Sequence, residues 1–106
     1  MNILIVDDEA SLRRTLRFAL ESMGHEVAEA SDARTATAAV GQQLFDVAFL
    51  DLRLGEEKGL DLLPELLRLA PKLDVVVITA YATVATAVEA MRSGAWQRTP
   101  NKAVES

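Results

Sequence analysis

The chain has 106 residues and no cysteine, and its 16 acidic and 11 basic residues give it a net charge of −5. The lack of cysteine excludes disulfides, thiolate catalysis and cysteine-bound zinc, and the acidic balance argues against nucleic-acid binding, which needs clustered lysine and arginine. The length fits one domain, and the N-terminal apolar run is too short for a secretory signal or a membrane span, so we expect a cytoplasmic domain without a membrane partner.

Apolar runs alternate with helical patterns along the chain, which predicts a parallel sheet covered by helices on both faces. The predicted strands are residues 2–6, 26–30, 47–50 and 75–78, and the predicted helices are residues 11–23, 32–43, 60–69 and 84–92. Gly24 is predicted to end the first helix, whereas Ser31 and Thr83 are predicted to cap the second and the fourth.

The C-terminal end departs from this alternation. Residues 97–102 are polar where a buried fifth strand should be apolar, and too few residues follow Gly94 for both a strand and a packed helix. We therefore expect an atypical fifth strand and no fifth helix, as in a domain truncated at its C-terminus. The apolar surface left uncovered predicts a homodimer or higher oligomer built around the fourth helix and residues 94–106.

Acidic and hydroxyl side chains stand directly after three of the predicted strands. Asp7 and Asp8 follow the first strand, Asp51 the third and Thr79 the fourth. Because ligands bind beyond the carboxyl ends of parallel strands, we expect these side chains to share one site. Clustered carboxylates repel one another unless a cation binds, so the pattern predicts a metal site. The alternatives are a helix N-cap for the aspartate pair and a strand-end cap for Thr79.

Four segments in this order resemble the receiver domains of two-component response regulators, with the NtrC-like activators of sigma-54 promoters as the most similar group. The segments are residues 3–9 (ILIVDDE), 49–54 (FLDLRL), 59–63 (GLDLL) and 78–83 (ITAYAT). The resemblance extends from residue 1 to about residue 96. It implies an α/β, flavodoxin-like, doubly wound parallel sheet of strand order 2-1-3-4-5, and one receiver domain over residues 1–106.

The resemblance also implies the chemistry of the predicted site. Asp51 is the carboxylate that accepts a phosphoryl group from the phosphohistidine of a sensor histidine kinase. Asp8, Asp51 and the backbone carbonyl of Arg53 are the implied ligands of Mg2+, with Asp7 acting mainly through water. Mg2+ suits such a site because it binds few carboxylates and keeps several waters.

Further family positions lie nearer the C-terminus. Thr79 is implied to hydrogen-bond a phosphoryl oxygen, and the small Ala80 to leave space for the reacting group of the kinase. The family places a lysine where this chain has Asn101, and an aromatic residue where it has Arg98. Lys102 comes one position late, and adjacent side chains of a strand point to opposite faces, so it does not inherit the lysine's role.

Three functions remain open on these grounds. The first is a Mg2+-dependent phosphoacceptor that is not an enzyme. The second is a receiver-like interaction module that no longer switches. The third is a metal-dependent hydrolase with Asp51 as nucleophile, although the additional aspartate typical of that class is absent two residues later, where Arg53 stands.

Side chains outside these motifs have structural interpretations. Arg13, Arg14 and Arg17 lie around the first predicted helix, where a solvated face is favoured over contact with a kinase. Leu44 and Phe45 are predicted core residues.

Overall fold

The structure is a computed structural model that describes residues 1–51, 53–78, 88, 91–92 and 103–105. The strands of the main sheet are β1 Asn2–Val6, β2 Glu26–Ala30, β3 Val47–Asp51, β6 Asp74–Ile78 and β7 Ala103–Glu105. Two short strands, β4 Arg53–Leu54 and β5 Glu57–Lys58, form a separate antiparallel ladder. The helices are α1 Ala10–Ser22, α2 Ala33–Gln42 and α3 Gly59–Leu69, and residues 88 and 91–92 are also helical.

All neighbouring strands of the main sheet are parallel, in the order β2-β1-β3-β6-β7. The predicted flavodoxin-like fold with strand order 2-1-3-4-5 is therefore confirmed. The fifth strand, β7, pairs with Val75–Val77 of β6 and lies beyond the polar segment 97–102. The predicted Thr83 cap and most of the predicted oligomer surface lie outside the described residues.

The central strands β1, β3 and β6 are mostly apolar because the sheet is covered on both faces, and alternate residues point to opposite sides. One face packs against α2 and α3 and carries Leu4, Val6, Ala48, Leu50, Val75 and Val77. The other face packs against Leu16 and Leu20 of α1 and carries Ile3, Ile5, Val47, Phe49, Val76 and Ile78. Because the strands are parallel, their carboxyl ends lie at one edge of the sheet.

The end of α1 matches its prediction. Gly24 has φ +94°, its N–H donates to the carbonyl of Glu21, and the N–H of His25 donates to the carbonyl of Leu20. This pair of hydrogen bonds is the Schellman arrangement, in which glycine adopts the left-handed conformation without a steric penalty.

Two local predictions are wrong. The N-cap of α2 is Asp32 rather than Ser31, because the Asp32 carboxylate reaches the N–H of Thr35 at 2.8 Å. Leu44 is 86 % exposed, whereas its neighbour Phe45 is buried as predicted. Among the described residues, no helix is both long and apolar enough to cross a bilayer.

Candidate functional site

Three carboxylates meet at the carboxyl edge of the sheet. Asp7 and Asp8 directly follow β1, and Asp51 is the last residue of β3, the strand next to it. One carboxylate oxygen from each of the three lies within 4.8 Å of the others. The topology thus brings together residues that are more than forty positions apart in the chain.

Asp7 is the most unusual member of this acidic cluster, which consists of Asp7, Asp8 and Asp51. In the described part of the chain it is the one charged side chain that is buried, with 2 % of its surface exposed. Burial raises its pKa from 3.8 to about 6, and the charges of Asp51 and Asp8 act in the same direction. The N–H of Glu9 donates to Asp7 Oδ1 at 2.8 Å and partly offsets this effect. The ionised form of Asp7 is therefore disfavoured, because its carboxylate is removed from water and lies beside two like charges.

Asp8 is connected to the loop after β3. The N–H of Gly55 donates to Asp8 Oδ2 at 2.9 Å. Gly55 stands in the turn between β4 and β5 with φ +61°, a conformation that side chains with a Cβ rarely adopt. The turn thus presents a backbone donor to Asp8 and places Arg53, whose carbonyl is an implied ligand, in the strand just before it.

The alternative that Asp7 and Asp8 form a helix N-cap is not supported. The N-cap of α1 is Glu9, and it makes no side-chain capping hydrogen bond. The aspartate pair lies before this cap and contributes its carboxylates to the cluster instead.

The other predicted site residues are outside the described part of the chain. These are Thr79, Ala80 and Asn101. The register pairs Asp51 with Ile78, the last residue of β6. Thr79 directly follows Ile78 in the sequence.

Two residues beside the cluster were missed by the sequence reasoning. Gly55 supplies the N–H to Asp8, and Arg13 donates from Nη1 to the backbone carbonyl of Asp7 at 2.6 Å. The sequence favours a solvated face for Arg13, yet its side chain is only 16 % exposed. The glycine in the segment that follows Asp51 is a usable signal for a turn, whereas the arginine contact depends on the packing of α1.

The donor set of the cluster fits a hard divalent cation. Carboxylate oxygens are the preferred ligands of Mg2+ and Ca2+, and a bound cation would relieve the repulsion among the three charges. The burial and raised pKa of Asp7 show that its ionised form is disfavoured in the metal-free site.

Comparison with known proteins agrees with this geometry. The model of the "Response regulator receiver domain" family matches residues 3–99. The chain belongs to this family. The receiver domain predicted from the motifs, in its NtrC-like group, is therefore confirmed.

The receiver domain is similar to parts of longer curated proteins. It is 52 % identical over 93 residues to the alginate biosynthesis transcriptional regulatory protein AlgB of Pseudomonas aeruginosa, an alignment that covers 88 % of this chain and 21 % of that protein. It is 40 % identical over 95 residues to the transcriptional regulatory protein ZraR of Escherichia coli, covering 90 % of this chain and 22 % of that protein. The chain thus spans about a fifth of the length of these relatives.

A solved structure shows the same fold. A response regulator protein from Burkholderia pseudomallei superimposes with a TM-score of 0.76 at 32 % identity, covering 99 % of this receiver domain and 59 % of that chain. That structure contains a phosphorylated aspartic acid, a calcium ion and citrate.

Proposed function

We propose that this receiver domain accepts a phosphoryl group on Asp51 from the phosphohistidine of a sensor histidine kinase. The observation that carries the proposal is the position of Asp51, which ends the central strand β3 with an oxygen within 4.8 Å of oxygens of Asp7 and Asp8. The phosphorylated aspartic acid and calcium ion of the similar Burkholderia protein support it.

In the proposed reaction, a carboxylate oxygen of Asp51 attacks the phosphorus atom. A P–O bond forms as the P–N bond of the phosphohistidine breaks, and the ring leaves as neutral imidazole after taking up a proton. Both the nucleophile and the phosphoryl group are anionic, so the transfer needs positive charge between them. Mg2+ supplies that charge when bound.

Each residue of the cluster then has a distinct role. Asp8, Asp51 and the carbonyl of Arg53 would hold the cation, and Asp7 would bind it through water. The hydrogen bond from Gly55 orients Asp8 before any ligand arrives. Asp7, with its raised pKa, would lose its remaining proton when the cation binds, because positive charge favours the carboxylate.

The replacement of the family lysine limits the switch rather than the acceptance. Asn101 would donate a neutral hydrogen bond to the phosphoryl group, which is weaker than the charge-assisted bond of a lysine. Thr79 would donate a second hydrogen bond, and Ala80 would leave room for the donor. We therefore propose that phosphorylation is retained, and we keep the non-switching interaction module as the alternative.

The relatives indicate the setting of this reaction. AlgB and ZraR are named as transcriptional regulatory proteins, so we place the receiver domain in the cytoplasm as a signal acceptor without catalytic turnover. The net charge of −5 argues against direct binding of DNA by this chain. Self-association into a dimer or higher oligomer stays a prediction.

Labelling with acetyl phosphate and Mg2+ tests the proposal, with intact-mass measurement as the readout. We expect one phosphoryl group on the wild-type chain and none on Asp51→Asn. Asp61→Asn, at an exposed position in the first turn of α3, is the matched control and should label like the wild type.

Each other outcome has a defined meaning. An unlabelled wild-type chain would favour the interaction module, and continuous hydrolysis of acetyl phosphate would favour a hydrolase. Undiminished labelling of Asp51→Asn would show that the acceptor is another residue.

A further inference from the structure

We infer that Arg13 is a positioning residue that fixes the peptide group between Asp7 and Asp8. The inference rests on the proposed function of the acidic cluster and extends it to a residue outside the cluster. Arg13 lies in α1, and a guanidinium is a planar group whose donors have a fixed geometry.

The Arg13 side chain makes two directed contacts. Its Nη1 donates to the backbone carbonyl of Asp7 at 2.6 Å, and its Nε donates to Glu29 Oε1 at 3.1 Å. The exposed fractions of the Arg13 and Glu29 side chains are 16 % and 21 %, so solvent competes little for these contacts. Two contacts made by one planar group determine both its position and its orientation.

Glu29 is a fixed anchor for this arrangement. It pairs with Ile5 in the β1–β2 ladder, and Ile5 belongs to the sheet face that α1 covers. Its second oxygen accepts from Nη1 of Arg17 at 3.1 Å. Two arginines one helical turn apart therefore hold one oxygen each of a carboxylate that faces α1.

The consequence for the site follows from peptide geometry. The N–H of Asp7 donates to the carbonyl of Ala30, the last residue of β2, at 3.1 Å. Arg13 donates to the carbonyl of Asp7, so both backbone polar groups of Asp7 have hydrogen-bond partners. The carbonyl of Asp7 and the N–H of Asp8 lie in one rigid plane. Fixing that carbonyl therefore sets the direction in which Asp8 projects towards the Gly55 N–H.

A comparison of Arg13→Met with Arg17→Met tests the inference. Both changes remove a positive charge and a contact to Glu29, but the described contacts of Arg17 are with Glu29 and Glu21 rather than with the site. The first readout is the Gly55 amide in the metal-free protein, by its NMR shift and hydrogen-exchange rate. The second is Mg2+ affinity by calorimetry.

We expect Arg13→Met to shift the Gly55 amide resonance, to speed its exchange and to weaken Mg2+ binding about tenfold, the size typical of residues that orient metal ligands. Arg17→Met should stay close to the wild type in both readouts. Glu29→Gln, which weakens the anchor, should give an intermediate change. Equal effects of the two methionine variants, or an unchanged Gly55 amide in Arg13→Met, would overturn the inference.

Arg13→Lys separates geometry from charge and serves as the second variant if Arg13→Met does not fold. We expect partial recovery only, because an ammonium group lacks the planar fork, and full recovery would show that charge alone acts. The Gly55 readout needs neither metal nor phosphoryl donor. A wild-type chain that fails to label would therefore overturn the proposed function while leaving this test intact.

Discussion

Asp7 and Asp32 stand at the same edge of the sheet, each just beyond a strand and just before a helix, and they are held in different ways. Asp32 follows β2 and begins α2. Its carboxylate accepts from the N–H of Thr35 at 2.8 Å and from the Thr35 hydroxyl at 2.7 Å. These hydrogen bonds to Thr35 hold the pKa of Asp32 below its ordinary value. This aspartate stabilises the fold locally.

Asp7 follows β1 and is in the opposite situation. It is buried, its pKa is raised to about 6 by that burial, and the charges of Asp51 and Asp8 add to the effect. Its neighbours in the cluster are Asp8, the next residue in the chain, and Asp51, which is distant in the chain, and both repel it. The difference shows that a capping aspartate is satisfied by donors three residues away, whereas Asp7 is buried beside two like charges.

The largest expected effect is on the pH dependence of stability without metal. The pKa of Asp7 is about 6 in the folded chain and 3.8 when unperturbed, so the folded state binds the proton more tightly. This contribution is fully present below pH 3.8 and is lost as the pH rises through 6. The loss amounts to up to ~3 kcal/mol in the free energy of unfolding.

Urea unfolding in EDTA, compared between the wild type and Asp7→Asn, checks this prediction. The two proteins should be similar near pH 4, and the variant should be the more stable near pH 7. His25, whose pKa is lowered by burial and by the amino terminus, acts in the opposite direction in both proteins and cancels in the difference. Parallel pH profiles would mean that Asp7 is better solvated than its position indicates.

The second effect is stabilisation by Mg2+. At ten times its Kd, Mg2+ should raise the free energy of unfolding by ~1.4 kcal/mol through mass action, which thermal unfolding detects. Asp8→Ala should remove that gain and be slightly more stable than the wild type without metal, since one repelling charge is gone. Asp32→Ala should keep the gain. A gain that survives in Asp8→Ala and in Asp51→Ala would place the metal elsewhere.

The smallest expected effect is that of replacing Asp32, the aspartate that caps α2. Asp32→Ala removes the cap of α2 and should lower the melting temperature by ~5 °C, while Asp32→Asn, which keeps a side-chain acceptor, should change it little. Labelling by acetyl phosphate should be the same in both variants as in the wild type. A loss of labelling in Asp32→Ala would show that the cap and the cluster are not independent.

Much of the site's location was predictable from local patterns. The apolar runs that end in Asp7 and Asp51 indicated buried parallel strands, and parallel strands deliver their ends to one edge. The wrong prediction for the start of α2 concerns a single position. The predicted cap Ser31 is wrong because the neighbouring Asp32 is an equally good capping residue, and only the backbone path decides which of the two reaches the N–H of Thr35.

The sequence by itself determined the class of fold, the order of the strands, the receiver family and the three aspartates, because apolar runs and strand-end residues are written contiguously along the chain. Tertiary structure alone decided the burial of Asp7, the donor from Gly55 and the contact between Arg13 and the Asp7 carbonyl. These depend on how α1 lies across β2 and on where the turn after β4 falls. Such relations arise from packing between segments distant in the chain, which no local pattern contains.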